Sequence, residues 1–327
     1  MKINKKIAAG LGAAALSALF MVAAARTGVV AKAAPGPSQA DPVIAAAGDI
    51  ACDLLPTAAT PAPDERGTDV CHMAATAKLI EQLHPTAVLT LGDEQYADGR
   101  LDQFQAGYDK SWGAFKSITH PAPGNHEYHT AGAAGYYAYY GSAAGDPAKG
   151  YYSFNLGQWH LIALNANCKA IGGCDASSAQ VQWLVADLKA DHQSCTLAFW
   201  HQPRFSSGAV HHSDPTYDAF WRALYAARAD LVLTGHDHDY ERFAPQTPDA
   251  ASDPTSGITE FVVGTGGRSH YQIGKLEPNS QATKAGVYGI LAVTLHPESF
   301  DWRFIPEPGQ TFTDSGSQPC HTSAANG

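Results

Sequence analysis

Apolar residues in this chain fall in short runs that end on polar ones. "VIAAAGD" (43–49), "AVLTLGD" (87–93), "HLIALNAN" (160–167), "TLAFWH" (196–201) and "DLVLTGH" (230–236) predict strands buried on both faces. Between them the apolar period lengthens to three and four. Residues 71–84 place Met73, Ala77, Ile80 and Leu83 near one face of a helix. Residues 100–115 do the same with Leu101, Phe104, Tyr108, Trp112 and Phe115. Residues 177–191 open on serines suited to capping and repeat Val181, Leu184, Val185 and Leu188. Toward the end, "ITEFVVGTGG" and "YGILAVTLHPESFDWRFI" predict more strands, the second a hairpin turning near His296–Ser299. The pattern is β/α alternation with a β-rich C-terminal portion. Residues 53–69 predict a surface loop, and no internal repeat or domain-sized linker interrupts the chain.

Composition supports a packed core: 45% of the 327 residues are apolar and 16% charged. The N-terminus adds an expectation of export. A basic start, "MKINKK", precedes an Ala-rich apolar stretch and "AKA" at 31–33, a small-x-small cleavage site; cleavage after Ala25 is the alternative. Residues 1–33 are thus expected to be a signal peptide, 34–42 a flexible lead-in and 43–327 a single catalytic domain. The expected product is secreted and extracellular, without a permanent membrane anchor. Five of the 21 basic residues lie in the signal region, leaving 16 against 31 acids and a net charge near −15. Such a surface repels polyanions and argues against sequence-specific nucleic-acid binding. Six cysteines in an exported chain suggest disulfides, for which Cys52–Cys71, Cys168–Cys174 and Cys195–Cys320 are the expected pairs.

Candidate chemistry collects where the strands run out, which is where α/β sheets bind ligands. Those ends carry Asp49, Asp93, His201, His236 and His238, and "PAPGNHEY" adds Asn125 and His126. Asp, Asn and His are oxygen and nitrogen donors suited to hard or borderline cations. His236 and His238 are two residues apart, so in extended chain they point to one side, a spacing that serves one ion or two.

In order, "GDIA", "GDEQY", "GNHE", "WHQP" and "GHDHDYER" resemble the five blocks of the calcineurin-like metallophosphoesterases, over about residues 43–305. The nearer resemblance is to the purple acid phosphatases, of a secreted bacterial kind. Position 51 is Ala where many superfamily members place a metal-binding His, and "GDEQY" sets Tyr96 three residues after Asp93. Asp-x-x-Tyr is how the purple acid phosphatases bind ferric iron. The resemblance implies an α/β (α+β) four-layer sandwich, two packed mixed β-sheets flanked by helices. It implies Asp49, Tyr96 and His238 on a first metal, Asn125, His201 and His236 on a second, and Asp93 bridging both. The cofactors implied are Fe(III) with a divalent Zn, Fe or Mn. Ala51 and Arg204 depart from the usual family blocks.

The function implied is hydrolysis of small phosphomonoesters by in-line attack of a metal-bound hydroxide. The alternatives are phosphodiester or nucleotide hydrolysis at the same centre, or a secreted binding protein with a dead site. His126 is the candidate for stabilising the transferring phosphoryl group. His211 and His212 are candidates for the leaving group, with His212 favoured. Glu241 and Arg242 are expected to pair and fix the turn, and Asp239 is left as buried support or solvent-exposed. His129, His160, His270 and His296 are expected to be core or surface residues, with His270 the one nearest the pocket.

Overall fold

The structure, a computed structural model, describes residues 40–55 and 71–321. The expected signal peptide, most of the lead-in and most of the 53–69 loop lie outside these residues. Two mixed β-sheets form the centre. The first contains β1 (Val43–Ala47), β2 (Ala87–Leu91), β3 (Thr119–Ala122), β11 (Gly289–Leu295), β12 (Ser299–Pro306) and β13 (Ser315–Pro319), in the order β13-β12-β11-β1-β2-β3. The second contains β4 (Tyr152–Leu156), β5 (Trp159–Ala163), β6 (Cys195–Phe199), β7 (Leu231–Thr234), β8 (Tyr240–Phe243), β9 (Thr259–Val263) and β10 (Ser280–Lys284), in the order β10-β8-β9-β7-β6-β5-β4. Strands β1, β2 and β3 run parallel, as do β5, β6, β7 and β9. Every expected strand is present.

Side-chain alternation explains how the layers stack. In the second sheet Leu161, Leu197, Phe199, Leu231, Leu233, Phe261 and Val263 share one buried cluster with Ile44, Leu89, Leu91 and Val293 of the first sheet. Their neighbours Ile162, Ala198, Val232 and Val262 join an outer cluster with Val181, Leu184, Phe220, Trp221 and Leu224. Those come from α5 (Ala179–Ala190) and α6 (Asp218–Ala226). On the far side α1 (Met73–Leu83) buries Met73, Ala77 and Ile80. Four layers result, and both sheets are covered on both faces, as continuous apolar strands require. The shorter helices α2 (Leu101–Ala106), α3 (Ala134–Tyr140) and α4 (Cys168–Ile171) complete the fold.

The expected helix over 100–115 stops early. It ends at Gly107, followed by 3₁₀ turns at Tyr108–Lys110 and Trp112–Ile118. Gln95 Oε1 accepts the Tyr108 amide at 2.8 Å, satisfying a donor that a continuing helix would have used itself. Two expected core positions, Leu101 and Val185, face solvent. The hairpin turns where expected, with His296 N donating to Ser299 O at 2.9 Å. All three expected disulfides are present. Among the described residues no helix is long and apolar enough to cross a membrane.

Candidate metal centre

The two sheets place their polar strand ends at a common rim. Asp49 follows β1, Asp93 and Tyr96 follow β2, and Asn125 and His126 follow β3. From the second sheet, His201 follows β6, and His236 and His238 follow β7. Three of these residues leave their strands in left-handed backbone: Asp49 at φ 60°, Asp93 at φ 48° and His236 at φ 72°. For a residue with a Cβ this is strained, by about 1–3 kcal/mol each, and such strain gathers at functional sites. It turns each side chain off the strand axis toward the rim. Gly92, at φ 83°, must be glycine for a second reason, because a Cβ there would lie 2.5 Å from the His201 ring.

The donors converge. Tyr96 Oη lies 2.9 Å from Asp49 Oδ1, 3.1 Å from Asp93 Oδ2 and 3.0 Å from His238 Nε2. His238 Nε2 is 3.1 Å from Asp49 Oδ1. On the other side His201 Nε2 is 3.2 Å from Asp93 Oδ2 and 3.1 Å from His236 Nδ1. Asp93, His201 and His236 each offer a donor atom within 4.8 Å of the others. One atom, Asp93 Oδ2, therefore belongs to both clusters. Its partner Oδ1 is engaged by the His126 amide at 2.9 Å, which leaves Oδ2 to bridge. Asn125 Oδ1 is buried with no hydrogen-bond partner, an orphaned acceptor of the kind that a cation satisfies.

Outer contacts set the tautomers. His201 Nδ1 is 2.7 Å from Leu91 O, and His238 Nδ1 is 2.7 Å from Ser269 O. Each Nδ1–H donates outward and each Nε2 turns inward, the usual arrangement behind a metal-binding imidazole. Electrostatics agree. Burial pushes the His201 imidazole down, but the Asp93 carboxylate outweighs it and holds the pKa up at about 9. His238 is likewise raised, by Asp49 against burial. Burial and then His201 hold His236 well below the usual range. Tyr96 is pushed well above an ordinary phenol by burial and by Asp49 and Asp93. The site lacks positive charge, and protons fill the gap. The donor set fits two cations.

Support comes from residues the sequence did not single out. Buried Glu127 accepts the amides of Asp93 (3.0 Å), Gln95 (3.1 Å) and Gly124 (2.8 Å), joining the ends of β2 and β3. Arg268 lies 4.9 Å over the Tyr96 ring. Tyr271 stacks on His238 at 4.1 Å. Both follow β9 at the same rim, and that position beyond a strand end was the signal available.

One expectation is corrected. Glu241 and Arg242 do not pair: Glu241 accepts from Ser207 N and from the Ser207 and Ser280 hydroxyls, while Arg242 binds Asp314 at 2.7 and 3.1 Å. His211 and His212 are both exposed, and the His211 ring stacks on His236 at 3.8 Å. The His211 amide donates to Asp237 Oδ1 at 3.2 Å, in the turn between His236 and His238. Asp239 is buried, with both oxygens unbonded. His126 sits at the rim, Nδ1 2.6 Å from Ala97 O and Nε2 3.8 Å from Asp93 Oδ2. His160 is held by Asn155 and Asp187, and His296 by Asp41 and Asp301, as structural histidines. His129 is half-exposed near Asp98, and His270 packs on Tyr288. A groove of about 660 Å³ between α5 and α6, lined by Leu188, Lys189 and Arg228, lies at the opposite end of β6 and β7.

A family model for calcineurin-like phosphoesterases matches residues 42–240. The chain belongs to that family. It is 29% identical to purple acid phosphatase 15 of Arabidopsis thaliana over 220 residues, 56% of this chain and 40% of the relative. It is also 29% identical to an uncharacterized protein of Mycobacterium tuberculosis over 230 residues, 58% of this chain and 44% of that one. The chain thus spans less than half the length of these relatives. The fold is similar to that of a purple acid phosphatase from yellow lupin seeds, with a TM-score of 0.66 at 17% identity, over 88% of this chain and 55% of that one. The calcineurin-like phosphoesterase family uses a dinuclear metal centre, and the rim described above has two donor clusters to offer.

Proposed function

We propose that this chain is a secreted phosphatase that hydrolyses phosphomonoesters at a dinuclear metal centre. The observation that carries the reading is Asp93 Oδ2, shared between Tyr96 at 3.1 Å and His201 at 3.2 Å. Asp49, Tyr96 and His238 would hold one cation, Asn125, His201 and His236 the other, with Asp93 between them. A phenolate suits a trivalent ion, so Tyr96 would favour Fe(III), and the His236 side would take a divalent Zn, Fe or Mn. Bound there, two cations would supply Lewis acidity to the phosphoryl oxygens and an acidified water.

The side chains do the rest. His201 and His238 keep Nε2 inward because Leu91 O and Ser269 O hold Nδ1. Asp93 is held in place through Glu127 and the His126 amide. His126 Nδ1–H donates to Ala97 O, so its Nε2 would donate to a phosphoryl oxygen only from the doubly protonated ring. His211 stands over His236, where its ring can give a proton to the departing oxygen. Export rests on the N-terminal sequence, and the three disulfides support it.

The test is turnover of p-nitrophenyl phosphate and its bis ester by metal-reconstituted protein. A dominant monoester rate is expected. A dominant bis-ester rate would make it a diesterase, and no hydrolysis of either from pH 4 to 10 would refute the reading.

A further inference from the structure

We propose that His211 and Tyr271 form a leaving-group subsite that selects phosphate esters of phenols. The inference rests on the dinuclear reading above and adds a substrate class to it.

Two rings stand directly on the two neighbouring imidazoles. His211, exposed, stacks on His236 with centroids 3.8 Å apart and planes at 27°. Tyr271, half-buried, stacks on His238 at 4.1 Å and 15°. The two outer rings meet nearly edge-on, 5.4 Å apart at 65°. Together they make an aromatic corner beside both metal clusters. A phosphoryl group held between the clusters would have this corner next to it.

The corner is built to stay in place. Ala209 N donates to Gln272 O at 2.8 Å, and Gly274 N donates to Ser207 O at 2.7 Å. Gly208 and Ile273 form an antiparallel bridge between the two loops. Asp237, fully buried, accepts the Ser206 hydroxyl and, at 3.2 Å, the His211 amide. Tyr271 N donates to His238 O at 3.1 Å. Each ring is thus tied by its own backbone to the turn that carries the histidine it covers. A preorganised pair of rings gains from a planar partner through edge and face contacts. A flexible polyol leaving group gains little from the same surface.

The test separates binding from leaving-group reactivity. Phenylphosphonate and methylphosphonate, which are not hydrolysed, are titrated by calorimetry into metal-loaded wild type, Tyr271→Leu, Tyr271→Phe and His211→Ala. Wild type should prefer the phenyl compound. Tyr271→Leu should shrink the phenyl-to-methyl affinity ratio about three- to tenfold, and Tyr271→Phe should keep it. His211→Ala, at an exposed position, should shrink the ratio in the same direction and serves if Tyr271→Leu does not fold. An unchanged ratio in Tyr271→Leu or His211→Ala, or equal weakening of both ligands, would overturn the subsite and leave a structural role only. Wild type that hydrolyses phosphomonoesters without a phenyl preference would refute the subsite while sparing the phosphatase. Wild type that binds neither phosphonate and hydrolyses no ester would refute both.

Discussion

His201 Nε2 lies 3.2 Å from Asp93 Oδ2 while its Nδ1 is committed to Leu91 O. A neutral imidazole in that tautomer sets a lone pair against a carboxylate, which is stable only with a positive charge between them. In the metal-free protein that charge is a proton: burial opposes it, Asp93 prevails, and His201 keeps it up to about 9. A divalent ion must displace it. Apparent metal affinity should therefore rise with pH through neutrality and level off above about 9. Binding at pH 7.5 should release protons, read by calorimetry in buffers of different ionisation enthalpy. Binding without proton release would contradict a proton held between His201 Nε2 and Asp93 in the metal-free protein.

Tyr96 gives an optical test. Its phenol is held far above its ordinary pKa by burial and by Asp49 and Asp93, so only a strongly charged cation will ionise it. Iron-loaded protein should be purple from phenolate-to-iron charge transfer, and Tyr96→Phe should lose the colour. A visible band that survives Tyr96→Phe would remove the tyrosine from the ligand set.

The choice between the two loop histidines is also measurable. Both are exposed, but the His211 ring covers His236, and His212 has its backbone at φ 60°. His211→Ala should lower kcat by about a hundredfold or more, the usual scale for a lost general acid, with a larger loss for esters of poorer leaving groups. His212→Ala should stay within about twofold. Equal losses would place the proton donor elsewhere.

His120 on β3 sets a limit on acid stability. Its ring stacks on Phe154 at 3.8 Å, and burial pushes its pKa down from 6.5 to about 4. The unfolded chain then binds the proton more readily, so stability is full above pH 6.5 and falls as pH drops toward 4. Allowing for partial exposure, the loss is about 1–2 kcal/mol. His120→Phe should flatten the urea midpoint across that range. A midpoint with the same pH slope in both proteins would contradict this.

How much could be read from the chain depends on what each feature rests on. Short apolar runs made the strands legible, because burial on both faces leaves no other pattern. Asp49, Asp93, His201, His236 and His238 were legible because each follows a strand end; Asn125 was read from the Gly-Asn-His turn, and Tyr96 only from the Asp-x-x-Tyr resemblance. The break at Gly107 was not, since it depends on Gln95 reaching across from another segment to take the Tyr108 amide. Tyr271 was missed for a related reason. It becomes a neighbour of His238 only when β8 and β9 pair and their following loop folds back. Glu241 sits beside Arg242 in sequence, but adjacent strand residues point to opposite faces, so they found different partners.

The central claim is that Asp93 serves two cations at once. Adding metal stepwise to metal-free protein, with bound metal and p-nitrophenyl phosphate turnover followed together, tests it most directly. Activity should climb to a plateau at two equivalents per chain, and Asp93→Asn should bind less than two. A plateau at one equivalent, or full activity without metal, would contradict it.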